Sequence, residues 1–203
     1  MSLNRDVLHS ERCASAFGRM FWAFLFFLDF RLGYNEIHVD ILPDFIGWIL
    51  IATALTSILD LAQVVAGVRI LAYWLVFLSL FDLVEIHITL SRSGNMTTWI
   101  SPTFPVQVVV AVLDIVLVWR LCGLIIEMAL AAENTTIRDR ASFRRKLYVA
   151  LAVLATLATP VLFVAPGLAL AAVIIGLPVA ITVFCLMMGL MRGTEKMCRG
   201  APV

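Results

Sequence analysis

The chain has 203 residues, of which 62% are hydrophobic and 14% charged, with a formal net charge of +1 and a mean hydropathy of +1.01. That balance lies outside the range of soluble globular domains and makes the membrane the expected surroundings. It also excludes a basic-aromatic nucleic-acid face, and GxGxxG, Walker, GxSxG, CxxC and HExxH motifs are all absent from the sequence.

Apolar runs recur over residues 14–32, 41–59, 70–90, 104–131, 147–165 and 167–191. Each is near the ~20 residues that a helix rising ~1.5 Å per residue needs to cross ~30 Å of hydrocarbon. Backbone polar groups cannot go unpaired in lipid, so these runs are expected as helices rather than barrel strands. The expected fold class is all-α: one membrane domain over 1–203, a polytopic integral membrane protein of about six transmembrane helices. Arg5 and Arg12 precede the first run, but no small-x-small cleavage site follows it, so it is expected as an uncleaved span.

Between the first two runs, Glu36, His38, Asp40 and Asp44 lie within nine positions. Glu36, His38 and Asp40 stand two apart. In an extended chain they would point the same way, and in a helix successive members would diverge by about 200°. Pro43 disfavours a helical Leu42 and suits a first turn, so the second helix is expected to start near Asp40 to Pro43, with Asp40 or Asp44 facing its open N–H groups. The cluster therefore reads first as helix capping. As a site, one imidazole with carboxylates suits Zn²⁺ or Mn²⁺ better than Ca²⁺, which makes a divalent cation the cofactor these residues imply. The segment DILPDFIGWIL, residues 40–50, resembles one found in small, uncharacterised multi-pass bacterial membrane proteins. That resemblance implies a bacterial inner-membrane location and no activity or site residues.

The third run carries an echo of this cluster in Glu85-Ile86-His87, and FLSLFDLVEIH, residues 77–87, matches FLDFRLGYNEIH, residues 27–38, with one residue skipped. The match is short and lies in biased composition, which favours coincidence over duplication. With the run read as a helix, Glu85 and His87 would diverge, while Ser79, Asp82, Glu85 and Thr89 would form one polar stripe toward the bundle interior. Asp82 would lie ~12 Å below an outer end near Leu90, and Asp114 of the fourth run ~13 Å below Pro105. Two carboxylates at one depth would share a proton, bind a cation, or find Arg120 or polar neighbours. Asp82, Glu85, Asp114 and Arg120 are accordingly the candidate ion or proton pathway, although Arg120 would equally serve by snorkelling to the cytoplasm.

The stretch 132–146 is read as a cytoplasmic loop. Its Arg138, Arg140, Arg144, Arg145 and Lys146 are expected to contact anionic lipid headgroups, or else an acidic partner. Residues 147–191 contain no Asp, Glu, Lys, Arg or His. There Pro160, Pro166 and Gly167 are expected at a turn and Pro178 at a kink, and Ala172, Gly176 and Ala180 share one face. This hairpin reads as a packing surface for a second copy or a membrane-complex partner.

With the amino terminus inside, twelve of the fifteen basic residues fall on the cytoplasmic side and only Arg31 and Arg92 outside, so both termini are expected in the cytoplasm. Cys13 and Cys198 fall on that side, Cys122 and Cys185 fall in spans, and no disulfide is expected. Three functions fit. The first is ion- or proton-coupled transport or channel activity through the first four spans, and the second a non-catalytic subunit or scaffold. The third, with least support, is a metal-dependent membrane enzyme using the outer cluster.

Overall fold

A computed structural model of the chain describes residues 8–27, 31–34, 37–40, 44–80, 84–86, 88–92, 96–100, 104–164 and 169–201, with side chains at 8–27, 44–80, 106–156 and 174–201. Among the described residues the body is a bundle of six α-helices: α1 (Glu11–Ala23), α2 (Asp44–Ser57), α3 (Gln63–Ser79), α4 (Phe104–Ala131), α5 (Thr135–Val164) and α6 (Ala169–Cys198). Each packs against the next in chain order, and α6 returns to pack on α1, so the six close into a ring.

Local chemistry sets the helix ends. Ser10 caps α1, its Oγ accepting the Cys13 N–H at 3.2 Å, with Glu11 in the first turn where the helix dipole favours an acid. A 3-10 turn, Phe24–Phe27, prolongs α1. Another, Leu59–Leu61, joins α2 to α3. The α4–α5 turn needs a left-handed residue, Glu133 at φ 53°. It is closed by the Asn134 N–H donating to the Ala129 carbonyl at 2.8 Å, and the Asn134 side chain then caps α5 by accepting the Ile137 N–H at 3.0 Å. Gly200, at φ 69°, follows the end of α6, and the Ala201 N–H reaches back to the Lys196 carbonyl at 3.0 Å.

The α2–α3 and α4–α5 turns, the start of α1 and the end of α6 share one end of the ring, here the turn end. Short strands form connections at the opposite, strand end: β1 (Arg31–Tyr34), β2 (Ile37–Asp40), β3 (Val84–Ile86), β4 (Ile88–Arg92) and β5 (Met96–Ile100). β1, β2 and β3 form an antiparallel sheet in that order, and β4 pairs with β5.

Packing is graded along the ring. In α4, Leu121, Ile125 and Met128 are buried whereas Val108, Val109 and Val112 are exposed; in α6, Leu190, Met191 and Met197 are buried whereas all of 174–182 is exposed. The core thus sits at the turn end, where Phe17 and Met20 of α1, Leu55 of α2 and Leu61 before α3 join it.

Several sequence expectations need correction. Among the described residues, two helical stretches rather than six are long and apolar enough to cross a membrane, Val106–Ala131 and Ile174–Cys198. α1, α2 and α3 have only 13, 14 and 17 residues. The run 70–90 is not one helix. α3 ends at Ser79, and strands begin at Val84, where the β-branched residues Val84, Ile86, Ile88 and Thr89 favour extended backbone. The stretch 132–146 is not a loop either: α5 starts at Thr135, because Ile137 and Ala141 lie four apart and bury one stripe while Arg138 and Arg140 turn outward. α5 runs on through Pro160, and α6 through Pro178.

Candidate functional site

Inside the ring, toward the strand end, lies a cavity of ≈ 530 Å³ to which every helix contributes. Phe24 and Phe27 come from the 3-10 extension of α1, Asp44 and Trp48 from α2, Ser79 from α3, Gln107 and Asp114 from α4, Tyr148 from α5 and Phe184 from α6. The volume is in the usual range for small-molecule sites.

The aromatic wall is continuous. The rings of Phe27 and Trp48 lie 4.3 Å apart, Phe24 meets Phe27 edge-on at 5.6 Å, and Phe24 meets Phe184 at 6.5 Å. Gly47 permits this, since a Cβ there would stand 2.6 Å from Phe27 Cε1 and 3.0 Å from the Ala23 carbonyl oxygen. α2 can therefore approach α1 closely only with a bare backbone at that position. Trp48 is 4% exposed, and its indole N–H is buried without a partner among the described residues.

The polar side is acidic. The Tyr148 hydroxyl donates to Asp114 Oδ2, and Asp44 supplies a second carboxylate on the same cavity. Among the described residues no Lys, Arg or His lines it. A carboxylate in an apolar, aromatic enclosure favours a proton or a cation there, and aromatic faces attract cations as well.

Of the candidate pathway residues, Asp114 lies in the cavity. Arg120 does not: it lines a separate groove outside the ring's centre. Asp82 lies outside the described residues, and the helix on which its depth was reckoned ends at Ser79. Glu85 is in β3 rather than on a helical stripe with Ser79, because the backbone there is extended; Ser79 itself borders the cavity.

In the outer cluster, β2 is extended at His38 and Asp40, as their convergence would require. The register sets His38 opposite Glu85 and Asp40 opposite Arg31, so the two echoing segments meet as antiparallel strands. Glu36 and His87 lie outside the described residues, as do the side chains of His38 and Asp40. Asp44 begins α2 as expected of a first-turn acid, and it borders the cavity. Among the described residues no group of three or more His, Cys, Asp or Glu is placed to hold a metal.

Sequence reasoning missed Tyr148, Gln107 and the cavity-facing place of Trp48. Gln107 was detectable as a polar amide near the start of an apolar run, whereas Tyr148 left no such signal.

Comparison of the chain with protein-family models, with curated proteins and with solved structures found no match.

Proposed function

We propose that the protein is a multi-pass membrane protein, with both termini in the cytoplasm, that moves a proton or a small cation through its central cavity. One observation carries this reading: a cavity fed by all six helices holds the Asp114–Tyr148 pair within an aromatic wall, with Asp44 on the same cavity. The membrane part is supported by what the bundle leaves uncovered. Of the two apolar windows long enough to span, one is 33% buried and the other 17%, whereas the core helix of a soluble protein would be largely covered. Trp22, Trp74, Phe77, Ile174 and Leu177 are also exposed, in keeping with lipid on the outer surface.

The test is flux in proteoliposomes. Wild-type protein should carry a cation- or pH-gradient-driven flux that Asp114→Asn abolishes and Tyr148→Phe reduces. Equal flux from wild type and Asp114→Asn, or none from wild type, would sink the proposal.

A second reading, a subunit of a membrane complex, draws on α6, where all nine residues 174–182 are exposed and Gly176 and Ala180 lie one turn apart. Isolation in a gentle detergent should then yield a stoichiometric partner or a second copy, and a solitary chain would count against it.

A further inference from the structure

Two arginines on the turn-end half of the ring, Arg120 and Arg145, form no ion pair among the described residues. They line a groove of ≈ 540 Å³ between α3, α4 and α5, with Trp119 beside them. The Arg145 guanidinium carbon lies 4.1 Å from the centre of the Trp119 ring, and its Nε is buried without a hydrogen-bond partner. A Cβ at Gly123 would lie 3.9 Å from Arg145 Nη1, so the guanidinium rests against a stretch of α4 that has no side chain to crowd it. Among the described residues no carboxylate lies within ion-pair distance of either guanidinium. Glu127 borders the same groove two helical turns from Arg120 and pairs with neither. The rest of the wall is apolar, with Val64, Val116 and Val149 among it.

The level of this groove on the ring is informative. Arg120 stands eleven residues before the end of α4 at Ala131, and Arg145 ten after the start of α5 at Thr135. Both therefore lie ~15 Å from the hairpin turn. Beyond them toward the strand end, α4 carries one charge, Asp114, and α5 one, Lys146, next to Arg145. On α5 the apolar length begins just past Arg145 and Lys146, the level at which lipid phosphates sit in a bilayer, and Arg120 joins the same groove from within the apolar stretch Val106–Ala131 of α4.

We propose that this groove binds an anionic phospholipid of the inner leaflet, its phosphate held by Arg120 and Arg145 and an acyl chain lying along the apolar wall. A guanidinium offers paired N–H donors that match phosphate oxygens, and stacking on Trp119 holds the Arg145 fork in place. The inference rests on the membrane reading and is independent of any transport through the central cavity.

The detergent-purified full chain should retain phosphatidylglycerol in native mass spectrometry and gain thermal stability from it. Phosphatidylcholine with the same acyl chains and inorganic phosphate at the same concentration should do neither. The double substitution Arg120→Gln, Arg145→Gln should weaken phosphatidylglycerol binding by about tenfold or more, while Asp114→Asn should leave it unchanged. Equal effects of phosphatidylcholine, full retention by the double variant, or reproduction of the effect by phosphate alone would overturn the proposal. Should the double variant fail to fold, brominated phosphatidylglycerol supplies the test: its quenching of wild-type fluorescence should exceed that by brominated phosphatidylcholine, and Trp119→Phe should remove the excess. Equal quenching by the two lipids, or an excess that persists in Trp119→Phe, would overturn it.

Discussion

Asp114 and Tyr148 meet across the α4–α5 interface, and the two ends of their hydrogen bond are expected to respond differently to substitution. Asp114→Asn keeps an oxygen to accept the tyrosine hydroxyl and removes only the charge, so stability in detergent should stay close to wild type while the proposed cation or proton flux is lost. Tyr148→Phe leaves a carboxylate oxygen without its donor, which costs about 1–3 kcal/mol and should appear in a denaturant titration. Glu195 gives a second asymmetry. It is 5% exposed and paired to Arg192 at 2.5 Å and Arg199 at 2.9 Å, both about half exposed. Replacing both arginines by Ala strands a buried charge and should lower stability more than Glu195→Gln, which lets two guanidiniums return to water. Asp114 was legible in the sequence because an acid inside an apolar run is costly and stands out. Tyr148 was not, because a phenol fits an apolar run without visible cost. Asp44 was read correctly as a first-turn acid, but only the packing of α2 against the other helices brings it to the cavity.

At the scale of elements, the order of the helices follows the apolar runs, while their ends follow chemistry that hydropathy averages away. Hydropathy treats Ile and Val as good helix residues, so 84–86 and 88–89 read as a continuation of α3, yet β-branching and pairing with β2 and β5 respectively make them strand. Similarly, the basic stretch reads as loop because charge dominates it, yet the spacing of Ile137 and Ala141 makes it helix. Two glycines offer a matched test of element packing. Gly47→Ala must push α2 away from Phe27 and Ala23 and should destabilise by about 1–3 kcal/mol. Gly67→Ala on α3, with no atom within 4 Å of the added carbon, should be neutral or stabilise by up to about 1 kcal/mol. Parallel unfolding curves would check both.

At the scale of the whole molecule, closure of the ring brings the two ends of the chain together. Cys13 near the start of α1 and Cys198 at the end of α6, 185 positions apart in the sequence, are buried with their sulfur atoms 2.7 Å apart. A thiol oxidant such as diamide, which takes up two electrons and two protons, is expected to join this pair. After quenching and denaturation, two fewer thiols should then react with maleimide, and Cys13→Ser should abolish that difference. Loss of no thiols in the wild type would show that the two ends do not meet.

The three helices of the first half and the three of the second half differ in length, and that difference has a mechanical consequence. α1, α2 and α3 rise only ~20–26 Å, whereas α4, α5 and α6 rise ~42–45 Å. A bilayer wrapped around such a ring cannot satisfy both sides at one thickness. It must thin beside the short helices or tilt the long ones, at a modest elastic cost for each ångström of mismatch. In the proposed membrane setting the molecule is in this sense a wedge, and the proposed flux should vary smoothly with the acyl-chain length of the lipids used for reconstitution, with thinner membranes relaxing the short side.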